Sequence, residues 1–195
     1  MKLSKDNEKI INGTLKNGGI IAYVTDTVWG VGCLPNNKKG VEKIYELKHR
    51  DTSKPLILMS DSVKNLLPYV QNVSDKANDY IEKFFPGALT LVLEKSELTP
   101  DYVTSGKTTV GIRVPKNEIF QKLCGIIEGH VLATTSANLS GEQPAMNYKE
   151  AVEKIGGHTD IVIEDEYEQA TGEPSTVALV TEEKTVVFRQ GKIKL

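Results

Sequence analysis

The sequence predicts an α/β fold, built as a twisted, open, mixed sheet with flanking helices. Short apolar runs typical of buried strands alternate along the chain with segments whose apolar residues recur at helical spacing. The composition is that of a soluble globular protein, with 39% hydrophobic and 26% charged residues. The 195 residues are therefore expected to form a single domain, residues 1–195, that buries its core without a disulfide or a structural metal.

The first half of the chain is predicted to alternate between helices and strands. An Asn-Gly-Gly sequence at 17–19 ends the first helix, because glycine is favoured just beyond a helix C-terminus. A later helix carries an apolar face that ends in Lys48. The expected order is a helix carrying Leu3, Ile10, Ile11 and Leu15, a strand at Ile20–Val24, a helix over 41–48, a strand at Leu56–Met59, helices over 61–69 and 74–84, and a strand at Leu89–Glu94.

The second half is predicted to end in a group of short strands. Asn147 and Glu150 form a capping box that opens a helix reaching about Ile155. The C-terminal strands are expected to be antiparallel. The expected order is a strand at Thr108–Val114, a helix over 117–127, a strand at Val131–Thr134 that runs into a polar loop, the helix after Asn147, and strands at 160–164, 175–180 and 184–189.

Several classes of protein are excluded by what the sequence lacks. Cys33 and Cys124 form no C-x-x-C pair, so zinc ribbons and thioredoxin chemistry are unsupported, and both are expected to be reduced core thiols. The P-loop, H-E-x-x-H and G-x-S-x-G motifs are missing. No apolar run reaches the roughly 20 residues that span a membrane, and the N-terminus lacks the apolar region of a signal peptide. A reduced cytoplasmic protein without membrane contact is expected.

The charge balance argues against a broad nucleic-acid-binding face, because the formal net charge is only -2. The charge is unevenly distributed, however. Residues 155–183 contain no Lys or Arg, and the acidic part at 164–173 is predicted to be a solvated loop that closes over a site as a lid. Basic residues instead recur beside hydroxyls and glycines near predicted strand ends, a pattern that suits a polyphosphate ligand. These residues are Lys48, Arg50, Lys54, Arg113 and Arg189.

The order of these polar motifs resembles the YrdC/TsaC family, the threonylcarbamoyl-AMP synthases, over roughly residues 15–191. The resemblance implies a YrdC-like fold with a basic concave face. It implies that L-threonine, bicarbonate and ATP are condensed to threonylcarbamoyladenylate and pyrophosphate for the t6A modification of tRNA position 37, and that this is the short form of the family. The motifs are T-x-T-V-W-G at 25–30, K-x-R-x3-K-P at 48–55, P-G-x-x-T at 86–90, R-V-P at 113–115, T-S-A-N-x-S-G at 135–141, S-T-V at 175–177 and R-x-G at 189–191.

The resemblance also implies roles for particular residues. Mg²⁺ is expected to accompany ATP, with no protein ligand assigned to it. Trp29 is expected either to pack in the core or to line the amino-acid pocket. Met59 stands where some relatives have a histidine near the threonine side chain, which puts the details of threonine recognition in question. The implied residues are Lys48, Arg50 and Lys54 for catalysis; Arg50, Lys54, Thr109, Ser136, Asn138 and Arg189 for ATP; and Thr27, Arg113, Thr135 and Ser175 for L-threonine.

Alternatives stay open at this point. The fold would also suit a non-enzymatic protein that binds double-stranded RNA or tRNA. A carbamoyl-phosphate-using transferase related to the hydrogenase-maturation proteins is a second alternative, and a scaffolding role is a third. Arg113, which closes a buried strand and needs an anionic partner, either forms a structural ion pair or binds the carboxylate of threonine. The expected partners of a synthase are ATP, L-threonine, bicarbonate, the proteins that transfer the product to tRNA, and RNA or tRNA itself.

Overall fold

The computed structural model describes residues 1–48, 53–139, 141–164 and 170–195. Two predictions fall partly or wholly outside these ranges. Arg50, assigned to catalysis and to ATP, is not among the described residues. Neither are residues 165–169, the middle of the predicted lid.

The strands of the described residues form one mixed sheet in the order β7-β1-β2-β6-β3-β5-β4-β8-β9. Most neighbours are antiparallel, but β3 is parallel to β5, β4 to β8, and β1 to β7. The predicted mixed α/β sheet is therefore confirmed. The strands are β1 (Ile21–Tyr23), β2 (Gly30–Cys33), β3 (Ile57–Ser60), β4 (Leu89–Glu94), β5 (Thr109–Arg113), β6 (Val131–Ser136), β7 (Ile161–Val162), β8 (Thr176–Val180) and β9 (Thr185–Arg189).

Helices begin where the sequence supplies polar caps. The side chains of Ser4, Asn37, Ser74, Asn117 and Asn147 each accept a hydrogen bond from a backbone N–H in the first helical turn. The helix predicted after Asn147 starts with a variant of the capping box: the N–H of Glu150 donates to Asn147 Oδ1, and the Glu150 carboxylate accepts from the Asn147 side-chain amide and from the N–H of Met146. The helices are α1 (Lys5–Lys16), α2 (Lys38–Leu47), α3 (Val63–Leu66), α4 (Asp75–Phe84), α5 (Asp101–Thr104), α6 (Glu118–Ile126) and α7 (Tyr148–Ile155), with 3₁₀ turns at Leu67–Tyr69 and Gly156–His158.

The two faces of the sheet are covered differently. The larger apolar cluster joins one face to α2 and α4, and a second cluster joins the other face to α1 and α6. Along β8 the residues alternate between buried and half-buried, as in a strand with one open face. Half-buried Val177 and Leu179 lie on that open face. Cys33 and Cys124 lie in these clusters and are buried and free, as predicted.

Three local predictions are corrected by the structure. The strand β2 was missed because two glycines weaken the strand pattern. Those glycines are required, since a Cβ on Gly32 would lie 2.6 Å from the Tyr23 hydroxyl. The short helix α5 was also missed. The predicted antiparallel pairing of the C-terminal strands is right between β8 and β9, but β7 runs parallel to β1 and β8 runs parallel to β4.

The strand β6 is longer than predicted. It extends to Ser136, so that Thr135 and Ser136 lie on the strand and not in the polar loop. Their backbone groups pair with β2. Both side chains are therefore held by the sheet. Within the described ranges, no helix is long and apolar enough to cross a membrane.

Candidate functional site

A pocket of about 290 Å³ lies against the sheet, at the small end of the usual range for ligand sites. It is lined by side chains from most of the strands and from the loops that follow them. Among its described lining residues there are two arginines and no Asp, Glu, His or Cys. The polar lining residues are Thr25, Thr27, Thr90, Arg113, Thr134, Thr135, Ser136, Gln143, Ser175 and Arg189.

Arg113 ends β5 with its side chain only 2% exposed. Its Nη2 contacts Oδ1 of Asp26 at 2.5 Å, its Nη1 donates to Oγ1 of Thr27 at 2.9 Å, and its Nε donates to the carbonyl of Gly87 at 2.9 Å. A guanidinium has five N–H groups. Three are used here, which leaves one on each terminal nitrogen for a ligand, the number that a bidentate carboxylate requires.

The ion pair keeps a buried charge tolerable. Burial lowers the pKa of Arg113, the Asp26 carboxylate opposes that change, and the positive charge of Arg189 adds to it. An arginine stays protonated under such shifts at neutral pH. Of the two roles predicted for Arg113, the structural ion pair is present, and the two remaining N–H groups leave the ligand role open as well.

Thr27 lies in a tight turn that follows β1. Thr25 donates its hydroxyl hydrogen to the carbonyl of Val28 at 2.6 Å, so Thr27 is the donor in the 3.1 Å contact between the two threonine hydroxyls. The Thr27 oxygen also accepts from Arg113. It therefore has one acceptor position left for a ligand, which suits an ammonium or a hydroxyl group.

The P-G-x-x-T motif serves both arginines. A Cβ on Gly87 would lie 2.6 Å from the carbonyl oxygen of Phe84, so only glycine fits where this carbonyl accepts from Arg113. Thr90, three residues further on, is buried in β4, and its hydroxyl lies 2.9 Å from that of Ser175. One short motif therefore reaches both sides of the pocket.

Arg189 ends the last strand and is exposed, unlike Arg113. Its Nε donates to the carbonyl of Ser175 and its Nη2 to the Ser175 hydroxyl, both at 3.0 Å. No carboxylate of the described residues lies within ion-pair distance of it. Partial desolvation of its guanidinium lowers its pKa. Two of its five N–H groups are used, and three are left.

The R-x-G motif places Arg189 beside Ser175. A Cβ on Gly191 would lie 2.1 Å from the carbonyl oxygen of Pro174, so glycine is needed for the chain to pass so close. The N–H of Gly191 then donates to Thr176 Oγ1 at 3.0 Å. The S-T-V and R-x-G motifs are thus two halves of one contact.

Lys48 caps the C-terminus of α2 and is 3% exposed. Its Nζ donates to the carbonyl of Ser136 at 2.7 Å, to Oδ1 of Asn138 at 2.9 Å and to Oγ of Ser136 at 3.3 Å. The Ser136 hydroxyl in turn donates to Asn138 Oδ1 at 2.6 Å. Lys48 therefore links the helix to the loop that follows β6.

The Asn138 side chain is saturated by protein groups. Its amide nitrogen donates to the carbonyls of Leu139 and Glu142, at 2.8 and 2.9 Å. Its oxygen accepts from Lys48 and Ser136. In this conformation Asn138 shapes the loop, and a contact with ATP would replace one of these bonds.

The apolar part of the pocket includes Trp29, which is fully buried, and Met59, which is 6% exposed. Trp29 therefore packs in the core and also lines the pocket, whereas its predicted role toward an amino acid stays a prediction. Its ring packs against that of Tyr148, and its indole N–H has no hydrogen-bond partner among the described residues. Met59, on β3, gives this wall of the pocket an apolar thioether.

The residues that follow position 169, where the described part of the chain resumes, form the pocket rim. Thr171 Oγ1 donates to the carbonyl of Asp26 at 3.0 Å, and the N–H of Gly172 donates to the carbonyl of Thr27 at 2.8 Å. Gly172 has φ +80°, and a Cβ there would lie 2.6 Å from Met146 Cε. Residues 171–173 are exposed, as predicted for a solvated loop, whereas Ala170 is buried. The lid itself stays a prediction.

The pocket lining unites six of the predicted site residues. Lys48 and Asn138 join it through Ser136, whereas exposed Lys54 and strand residue Thr109 lie outside the lining. The roles assigned to all of them stay predictions. The six are Thr27, Thr135, Ser136 and Ser175, together with Arg113 and Arg189.

Asp26 is the important residue that the sequence reasoning did not assign. A signal for it existed, because a buried arginine requires an anion and Asp26 stands between two threonines just after a buried strand. Thr90 was quoted in a motif but given no role. In the described parts of the chain, no group of three or more His, Cys, Asp and Glu side chains could hold a metal ion.

Comparison with known proteins places this site in a family. The model of the Sua5/YciO/YrdC family, which carries the description telomere recombination, matches residues 13–191. The chain belongs to this family. A member from Pyrococcus abyssi, named threonylcarbamoyl-AMP synthase, is 34% identical over 187 residues, which cover 96% of this chain and 54% of that protein.

Two further proteins match this chain, one over most of its own length and one in its three-dimensional structure. The threonylcarbamoyl-AMP synthase of Vibrio campbellii is 33% identical over 164 residues, covering 83% of this chain and 88% of that protein. The crystal structure of P. abyssi Sua5 complexed with L-threonine superposes with a TM-score of 0.89 at 31% identity, over 98% of this chain and 56% of that one. The chain thus spans about half the length of the P. abyssi relatives and most of the V. campbellii protein.

Proposed function

We propose that this protein is a threonylcarbamoyl-AMP synthase, which condenses L-threonine, bicarbonate and ATP to threonylcarbamoyladenylate and pyrophosphate. The observation that carries the proposal is the pocket itself, in which two arginines and a set of hydroxyls surround a space of small-molecule size. A family member complexed with L-threonine has the same fold. The relatives named above carry the name of this activity.

Arg113 and Thr27 form the end of the pocket that suits an amino acid. The two N–H groups left on Arg113 suit a carboxylate, and the acceptor left on Thr27 suits the ammonium or the hydroxyl of threonine. Both side chains are fixed by bonds that exist without the ligand. Holding a reactant in this way lowers the entropic part of the barrier, by up to about 7–11 kcal/mol in well-oriented systems.

Arg189 and the lysines form the end that suits phosphate. Arg189 has three N–H groups left and no carboxylate partner in the described ranges, so its charge is available to an anion. Lys48 holds the loop that bears Ser136. Lys54 is exposed and lies close to Lys48 in the sequence. We assign it to the triphosphate together with Arg50.

The reaction needs positioning more than it needs a nucleophilic side chain. The amine nitrogen of threonine forms a bond to the carbon of bicarbonate, with loss of water, to give N-carboxy-threonine. An oxygen of that carbamate then forms a bond to the α-phosphorus of ATP as the bond to pyrophosphate breaks. Each step joins two substrates, and the arginines stabilise the anions that take part.

Mg²⁺ enters the proposal as part of the nucleotide substrate. The pocket offers hydroxyls and carbonyls but no described carboxylate in its lining, so the phosphates of ATP would supply the ligands that this ion prefers. Bound there, the ion would neutralise phosphate charge. The residues of this chain would orient the phosphates around it.

The product fits a place in tRNA modification. Because an adenylate is labile, we propose that downstream t6A transfer proteins take it up and pass the threonylcarbamoyl group to position 37 of tRNA. A direct contact with tRNA and a cytoplasmic location belong to the same proposal.

The test is pyrophosphate release from MgATP, with threonine and bicarbonate each omitted in turn. Release is expected only when both are present. Release that ignores threonine would overturn the assignment. Lys54→Ala is expected to abolish release while the melting temperature stays nearly unchanged, because this side chain is exposed.

The RNA-binding alternative is not favoured by the comparisons. The same protein preparation can be used to test this alternative. RNA binding through phosphates would weaken steeply with added salt. RNA binding without pyrophosphate release would support that alternative and contradict the synthase.

A further inference from the structure

Asp26 stands between Thr25 and Thr27, which line the pocket, and is not itself part of the described lining. Its carboxylate contacts Arg113 at 2.5 Å, and its side chain is 18% exposed, compared with 2% for its partner. The described lining carries positive charge from Arg113 and Arg189 and negative charge from no side chain. Asp26 therefore balances one of two neighbouring positive charges.

We propose that Asp26 is a positioning and specificity-determining residue for the amino-acid end of the site. It sets the direction and the effective charge of Arg113. The pocket then accepts a zwitterion with a single carboxylate and disfavours a doubly charged anion such as phosphate. This inference rests on the proposed function and assigns to Asp26 the choice of ligand at that end.

The directional part follows from the hydrogen bonds of Arg113. Asp26, Thr27 and the carbonyl of Gly87 each take one N–H. The guanidinium plane is fixed by three acceptors, and the bond to Asp26 is the one that involves two charges. Without that charge the plane would be held less firmly, and the two N–H groups left for the ligand would no longer be fixed in direction.

The charge part follows from the second arginine. The positive charge of Arg189 lowers the pKa of Arg113, and the negative charge of Asp26 raises it. If Asp26 were neutral, two partly uncompensated guanidinium groups would share one small cavity. A zwitterion, whose net charge is zero, gains little from that extra charge, whereas a phosphate dianion gains much.

The turn that carries Asp26 is held by its backbone, independently of the side chain. The carbonyl of Asp26 accepts from Thr171, that of Thr27 accepts from Gly172, and the N–H of Trp29 donates to the carbonyl of Ala145 at 3.1 Å. A change in the Asp26 side chain should therefore alter Arg113 without moving the turn.

Asp26→Asn keeps the size of the side chain and an oxygen for Arg113 but removes the charge. Two quantities are measured without ATP: the affinity for L-threonine by calorimetry, and the affinity for inorganic phosphate as its competitor. We expect threonine to bind about tenfold more weakly and phosphate about tenfold more tightly, in line with one charge-assisted hydrogen bond. Equal weakening of both ligands, or no change in either, would overturn the proposal.

Asp26→Glu keeps the negative charge but moves the carboxylate, so it separates the effect of charge from the effect of direction. It also provides a charged variant to measure if Asp26→Asn fails to fold. The proposal expects weaker threonine binding with unchanged phosphate competition. Unchanged threonine binding would contradict it. Asp160→Asn is the matched control, because that carboxylate pairs with Lys43 away from the pocket, and neither ligand should respond to it.

The proposed function and this inference fail in different ways. Wild-type protein that binds no threonine would overturn the synthase assignment. Wild-type protein that binds threonine and releases pyrophosphate, with an Asp26→Asn variant that binds both ligands like the wild type, would overturn only the role of Asp26.

Discussion

Arg113 and Arg189 line the same pocket, yet their surroundings differ in one decisive respect. Arg113 is buried, contacts a carboxylate and has two N–H groups left. Arg189 is exposed, bonds among the described residues to the carbonyl and hydroxyl of Ser175, and has three N–H groups left. Asp26 accounts for the difference.

The difference shows how one residue type can serve two purposes in one site. A guanidinium held by a carboxylate is fixed in direction but contributes little net charge to the pocket. A guanidinium held by neutral groups contributes its full charge but is less constrained. The first arrangement suits recognition of an amino-acid zwitterion, and the second suits a polyanionic nucleotide.

The largest effect is expected from Arg113→Met. Removing the arginine leaves the Asp26 carboxylate partly buried without its counter-charge, which costs about 3 kcal/mol of unfolding free energy. The melting temperature should fall by about 6–12 °C, and threonine binding should be lost. Thermal unfolding together with calorimetry measures both. A fall of less than about 2 °C would show that the ion pair does not hold the pocket.

Arg189→Met should have a smaller effect on stability than Arg113→Met and a large effect on the use of ATP. It removes two hydrogen bonds to Ser175 but leaves no charged group without its partner, so the unfolding free energy should drop by only about 1 kcal/mol. The kcat/KM for ATP should fall by about 100-fold or more, because a charged donor to the phosphates is lost. The comparison fails if Arg189→Met destabilises the protein as much as Arg113→Met does.

The smallest effect is expected from Lys43→Met, which breaks an ion pair with Asp160 at the surface. The cost should be about 0.5 kcal/mol at neutral pH, with catalysis unchanged. Burial raises the pKa of Asp160, but hydrogen bonds from Lys43 and from the N–H of Ile20 outweigh it and hold that pKa below its usual value. Stability from a lowered pKa is present at neutral pH and is lost as the pH falls through the folded-state pKa.

The pH dependence of stability therefore distinguishes the Lys43–Asp160 pair from the buried Arg113–Asp26 pair. Wild type and Lys43→Met should differ in melting temperature at neutral pH and converge in strong acid. A difference that persists in strong acid would mean that Lys43 stabilises the protein by packing and not by pairing.

Much of the fold was predictable from the sequence because its patterns are local. The alternation of apolar runs and amphipathic segments predicted most strands and helices, and the helix start at Asn147 was predicted correctly. The strand β2 was missed because Gly30 and Gly32 are explained only by the Tyr23 side chain on the neighbouring strand. The parallel pairing of β7 is likewise a long-range property that no local pattern carries.

The site was predictable to a lesser degree. Motif order identified six residues that line one pocket, but motif order does not report hydrogen-bond saturation. It did not show that Asn138 is fully bonded within its loop or that Lys48 is buried. Nor did it assign Asp26, whose role depends on a contact with Arg113, a residue distant in sequence.

The most direct test of the central claim is calorimetric titration of wild-type protein with L-threonine and with L-threonine methyl ester, in the absence of ATP. The two ligands share the ammonium and the hydroxyl but differ in the carboxylate. If Arg113, held by Asp26, recognises that carboxylate, L-threonine binds and the ester binds at least about tenfold more weakly. Equal affinities would contradict the account.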